Sequence, residues 1–306
     1  MSRILLSLAM SFAIITNISS QVNLAALEEN LAYHADIMVN TTVASHRFKA
    51  ANLFKEQFET MLNTPGSYDH PFESLKWISK LTSEDDKFRI FSWIVANDDV
   101  VSKTYGYIQF ADGKVITLKD SGEITSDLEY EQLGAQDWFG ALYYHIMPFT
   151  SAGKTDYILF GYRQFAKFDK VKVLDVMSIK GDEVKFGKEL FVRKIEGERD
   201  EIKTRLLLTY SADASVTLNY NANMGMIVYD NLITRMGRIE GQGPTQLPDG
   251  SFVGYKQEID SWVYVDKIFN QTSDEAPRPM PVLGSDAKKD IFGKSKIKEK
   301  KKRNNK

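Results

Sequence analysis

Apolar positions recur at three- and four-residue steps near the start of the chain, and at two-residue steps over most of the rest. Leu24, Leu27, Leu31, Ile37 and Met38 form a first set. After Asn40-Thr41-Thr42 come Phe48, Ala51, Phe54, Phe58, Met61 and Leu62. On a helix of about 3.6 residues per turn such steps make one stripe, so residues 22 to about 63 are predicted helical. Asn63-Thr64-Pro65-Gly66 ends the pattern, because proline cannot continue the hydrogen bonding and glycine suits the exit turn.

From Phe88 the period is two. Residues 88–95, 105–110 and 114–118 read as strands, with Asp112-Gly113 as a hairpin turn between the last two. Further strands are predicted over 138–148, 155–164, 171–179, 183–191, 203–211, 215–220, 225–231, 251–257 and 261–269. The gaps are too short for crossover helices, so the strands should pair antiparallel. The fold class is therefore mainly β: an antiparallel meander, as a barrel, a sandwich or a small propeller, preceded by a helical N-terminal segment. The absence of a fixed internal period weighs against the propeller. The stretch 237–251, with Gly-Gln-Gly-Pro and Pro-Asp-Gly, is predicted to be a long loop.

Arg3, an apolar run from Ile4 to Ile15 and the polar stretch Thr16–Ser20 describe a secretory signal peptide, cleaved between Ser20 and Gln21. The expected divisions are 1–20 signal peptide, 21–66 helical segment, 67–270 antiparallel β-domain, and 271–306 a Pro-containing linker with a Lys-rich disordered tail. No other stretch is apolar enough to span a bilayer, which takes about 20 residues. An outer-membrane barrel is disfavoured, since strands such as Lys203-Thr204-Arg205-Leu206 lack a lipid-facing apolar alternation. The chain has no cysteine. That removes disulfides, thiolate metal ligands and a lipid anchor on an N-terminal cysteine. The expected location is periplasmic or secreted.

The net charge of −2 conceals an asymmetry. Residues 286–306 carry ten Lys/Arg against three acids, and residues 21–285 carry 28 against 38. An acidic body thus precedes a basic tail suited to anionic surfaces. The signal peptide argues against a nucleic-acid partner.

Several segments resemble a group of secreted Bacteroidetes-type proteins with no assigned activity. They are Lys87-Phe88-Arg89-Ile90-Phe91-Ser92-Trp93, Trp138-Phe139-Gly140-Ala141-Leu142-Tyr143-Tyr144, the run from Thr209 to Tyr220, Met226-Ile227-Val228-Tyr229-Asp230, and Pro65-Gly66-Ser67 followed by Pro71-Phe72. The resemblance covers about residues 45 to 270. It implies secretion and a β-rich domain, and it assigns no catalytic residue.

Candidate chemistry is sparse. Of the four histidines, His34 and His46 would lie about 120° apart on a continuous helix, sharing no face. His70 reads as a surface or satisfied-core residue. No His-Glu-x-x-His, phosphate loop, serine elbow or EF-hand loop occurs, so neither metal nor cofactor is expected. Strand alternation would put Tyr143 and His145 on one face. Asp175 and Asp230 interrupt apolar strands, where an ionised carboxylate needs a partner such as Arg163. Tyr143, His145, Arg163, Asp175 and Asp230 are therefore the binding candidates. The expected function is a non-enzymatic binding or envelope-associated β-domain, with an envelope glycan or another envelope protein as partner. The alternative is an extracellular hydrolase using Asp175 and Asp230 as a carboxylate pair, helped by His145.

Overall fold

The computed structural model describes residues 23–268, apart from 98–101, 123, 165–166 and 182. The predicted signal peptide, linker and tail lie outside these residues.

The helical pattern forms two helices, α1 (Leu24–Asn40) and α2 (Ala44–Leu62). The Asn23 side chain caps α1 by accepting from the amides of Ala25 and Ala26 at 3.1 and 3.2 Å. Val43, at the N-cap of α2, offers no side-chain cap. Arg47 compensates at this junction. Its Nη1 donates to the carbonyls of Thr41 and Thr42, and its Nε donates to Ala96 O at 2.9 Å. One guanidinium thus satisfies the end of α1 and ties the helices to a strand. Because the helix breaks at residues 41–43, α1 packs against α2, and His34 and His46 line one surface groove after all.

The strands make three sheets. The first, β1 (Ser79–Thr82), β2 (Phe88–Val95), β3 (Lys103–Phe110) and β4 (Val115–Lys119), is a plain antiparallel meander. The central sheet runs β5 (Leu133–Gly134), β9 (Glu183–Phe186), β8 (Asp169–Lys180), β7 (Lys154–Gln164), β6 (Leu142–Ser151). The third uses β10 (Phe191–Arg193), β11 (Glu201–Lys203), β13 (Leu218–Asn221), β14 (Met226–Met236), β15 (Pro244–Gln257) and β16 (Trp262–Val265). Strand β12 (Leu206–Ser211) joins the central sheet on β8. All pairs between strands are antiparallel except β10 with β16.

Alternation of side chains stacks these layers in a row. Phe91, Trp93, Tyr105 and Tyr107 on one face of the first sheet pack on Phe54 and Phe58 of α2. The other face, with Phe88, Ile90, Ile108 and Leu118, meets Tyr157, Leu159, Val173 and Met177 of the central sheet. The far side of the central sheet, with Ile158, Phe160, Leu174 and Val176, meets Ile227, Tyr229, Val253 and Trp262 of the third. Phe58 is fully buried and contacts the rings of Phe72, Phe91, Trp93 and Tyr107. Burying one such ring is worth about 1.5–3 kcal/mol. The architecture is thus mainly β and antiparallel, with face-to-face sheets and no closed barrel. No helix among the described residues is long and apolar enough to cross a membrane.

Two expectations need correction. The stretch 237–251 is not a loop throughout: β14 and β15 form one long hairpin, paired from Met226/Lys256 to Met236/Pro244. Glycine and proline marked the turn, but not how far the ladder extends either side of it. Trp138–Ala141 is not strand; the φ of +81° at Gly140 redirects the chain before β6.

At the rim between the first and central sheets, Tyr157 OH donates to Oδ2 of Asp85, in the turn between β1 and β2, at 2.8 Å. Desolvation raises the pKa of Asp85, but bonds from Lys87, Tyr157 and Ser83 outweigh it and hold the pKa at about 2. A depressed carboxyl pKa stabilises the fold above the unfolded-state value and is lost as pH falls through the folded one. Urea midpoints should therefore drop between about pH 4 and about pH 2 in wild type. In Asp85→Asn the drop should be smaller; an identical profile would contradict this role.

Candidate functional site

The sequence candidates are dispersed. Asp175, without solvent exposure, sits on β8 where that strand exchanges β12 for β9 as its neighbour. Its partner is Arg205, also fully buried, with Nε 3.3 Å from Oδ1. The Asp175 carboxylate accepts from the amide of Val176 at 2.9 Å. Arg205 donates to the carbonyls of Leu128, Glu131 and Phe186. Burial raises the Asp175 pKa although the Arg205 charge opposes that shift. Tyr143 is buried in the same layer, where its hydroxyl accepts from Trp138 Nε1 at 2.9 Å.

Arg163 does not serve Asp175 or Asp230. It binds Asp120 through both nitrogens of its fork, at 2.7 and 3.2 Å, and also donates to the carbonyls of Phe139 and Gly140. Asp230 belongs to the third sheet and accepts from Thr217 N and Thr217 Oγ1, both at 2.7 Å. Asp175 and Asp230 thus occupy different sheets, each with its own structural partner, and share no cleft. His145 does not share the face of Tyr143. A β-bulge between Tyr143 and His145 inserts one residue, so His145 is exposed with its ring 5.1 Å from Phe160. Unbroken alternation could not foresee that bulge.

The most developed polar site lies elsewhere, where residues 68–72 lean on the β1–β2 edge of the first sheet. Tyr68, His70, Lys80, Thr82 and Arg89 line a cleft of about 570 Å³, with Asp69 and Asp86 exposed at its rim. Thr82 and Arg89 are cross-strand partners, as are Lys80 and Phe91, so both cations project from one sheet face. Arg89 is 8% exposed. Its Nη1 donates to Tyr68 O at 2.6 Å and to His70 O at 2.7 Å, and its guanidinium lies 4.9 Å from the centre of the Phe72 ring. Lys80 Nζ donates to Phe72 O at 2.5 Å.

Phe72 is buried with φ +54°, a backbone region that bulky residues avoid. The two cations hold it there, on a frame that extends back to α1. Glu28 of α1 lies 2.6 Å from His70 Nε2 and accepts from Ser74 N at 2.5 Å. Neither Lys80 nor Arg89 forms an ion pair with a carboxylate among the described residues. Desolvation lowers the pKa of Lys80, with Glu28 opposing and Arg89 reinforcing the shift. Burial likewise lowers that of Arg89. An added anion would relieve both.

The site's residues had a sequence signal that a search for acids and bases overlooks. Arg89 stands inside the apolar strand Phe88-Arg89-Ile90-Phe91, and a buried arginine needs partners as much as a buried carboxylate does. Among the described residues no group of three or more His, Asp or Glu side chains could hold a metal ion.

The Asp175–Arg205 pair is expected to be structural. Asp175→Asn leaves a buried guanidinium uncompensated, which should lower the unfolding free energy from urea denaturation by about 3–5 kcal/mol. A loss below about 1 kcal/mol, the scale of an exposed pair, would contradict that. No protein-family model matches this chain, and neither does any curated protein or solved structure.

Proposed function

We propose that the chain is an exported, non-enzymatic binding protein of the cell envelope, akin to the secreted Bacteroidetes-type group it resembles. Its Lys80–Arg89 cleft would take the carboxylate of an acidic envelope glycan. One observation carries this reading. Two cations line one cleft, and their hydrogen bonds go only to main-chain carbonyls. Both hydrogen bonds of Arg89 leave through Nη1, so the remaining edge of its planar fork is available for a planar carboxylate. Lys80 uses one of its donors on Phe72 O and retains others. The rim acids Asp69 and Asp86 and the hydroxyl of Thr82 can meet sugar hydroxyls.

Calorimetry with uronate-containing oligosaccharides, and with their neutral counterparts, tests this directly. The mature protein should bind the acidic sugars. Lys80→Met should weaken binding about tenfold, the worth of one charge-assisted hydrogen bond. Equal affinity for neutral sugars, or an unaffected Lys80→Met variant, would overturn the proposal.

A further inference from the structure

A second trough, of about 340 Å³, opens at the β4 side of the first sheet, whereas the Lys80–Arg89 cleft lies at the β1 side. Lys55 of α2, Lys103 of β3 and Lys119 of β4 border it. Lys119 is the cross-strand partner of Tyr105, and Thr117 that of Tyr107, so these four share a sheet face with Lys103. The Lys103 ammonium lies 5.4 Å from the centre of the Tyr105 ring. None of the three lysines forms an ion pair among the described residues.

Two acids stand near them: Glu59, one helical turn after Lys55 and beside Tyr107, and Asp120. Asp120 is committed to the Arg163 fork and also accepts from Thr104 N at 3.0 Å and Gly122 N at 2.9 Å. Three lysines therefore border one trough, on a body whose net charge is negative.

We infer that this trough binds a tetrahedral oxyanion, a phosphate or sulfate ester. Three ammonium groups are compact point charges, free to meet oxygens that point in different directions, whereas a guanidinium fork matches a planar carboxylate. The two clefts of the first sheet thus differ in the anion geometry they accept. The ester has two possible carriers, a lipid headgroup or a glycan.

Amide shifts in an NMR titration of the mature protein with inorganic sulfate and phosphate are the test. Saturable shifts should appear at Thr104, Tyr105, Thr117 and Lys119. Lys103→Met/Lys119→Met should weaken the affinity at least tenfold, while Lys154→Met/Lys256→Met should not. Lys80→Met should leave this binding intact, which separates it from the glycan-carboxylate reading. Wild-type affinity in Lys103→Met/Lys119→Met, or shifts spread over the protein without saturation, would overturn the inference. Vesicles containing phosphatidylglycerol and soluble dextran sulfate distinguish the carriers. Retention by the vesicles identifies a lipid headgroup, retention by dextran sulfate identifies a glycan, and retention by neither overturns the inference.

Discussion

Asp175 and Arg205 lie 3.3 Å apart, with no solvent exposure, at the point where β8 passes from β12 to β9. A sheet that changes neighbours in mid-strand leaves main-chain groups open at the junction, and buried groups of that kind must be satisfied. Gly187 N closes one of them on Val176 O at 2.8 Å. Arg205 closes others by donating to the carbonyls of Phe186, Leu128 and Glu131. The guanidinium must then be compensated, and Asp175 does so. Gly187 shows how tight the arrangement is. At φ +91°, a Cβ there would lie 2.6 Å from Glu131 O and 2.8 Å from Arg205 Nη2. The central sheet can carry a hydrophobic layer on each face because this junction is closed.

The cations of the sheets, three buried arginines and the half-buried Lys80, sort into two kinds. Arg205 and Arg163 have carboxylate partners and hold chain crossings together. At Gly140 a Cβ would meet both Asp120 and Arg163 within 2.4 Å, which again requires glycine. Lys80 and Arg89 have carbonyl partners instead. Carbonyl dipoles satisfy donors but do not cancel the charge. That difference, between a cation whose charge is cancelled and one whose charge is only hydrogen-bonded, separates the structural sites from the candidate binding site. It also explains why a strained Phe72 persists where it does: two cations, three ring contacts and a helix-borne carboxylate converge on residues 68–74.

The strand pattern was legible in the sequence because each buried sheet face imposes period two. Phe88–Val95 is reproduced to the residue. The turn at Asp112-Gly113 was equally plain, with Gly113 at φ +90°. Layer order was not legible, since a strand apolar on both faces does not reveal which neighbour covers each. The pairing of charges was hidden for a similar reason. Asp175 announced that it needed a partner, but Arg205 stands thirty residues later, in a segment that reads as polar strand. The bulge at Tyr143/His145 removed the supposed shared face, and the strand boundary at Gly140 rests on a positive φ that Trp138-Phe139-Gly140-Ala141 does not advertise. Lys80 lay in a strand too short, at four residues, to stand out from its surroundings.

The distinction between a cation whose charge is cancelled and one that is only hydrogen-bonded is open to one direct measurement, the titration of the half-buried Lys80 side chain followed by NMR. In the free protein, burial and the neighbouring Arg89 should hold its pKa below the ordinary lysine range, although Glu28 opposes them. Adding a uronate oligosaccharide should raise it, because a bound carboxylate favours the charged ammonium. A Lys80 that titrates like an exposed lysine, and does not move when the acidic sugar is added, would contradict the account at its centre.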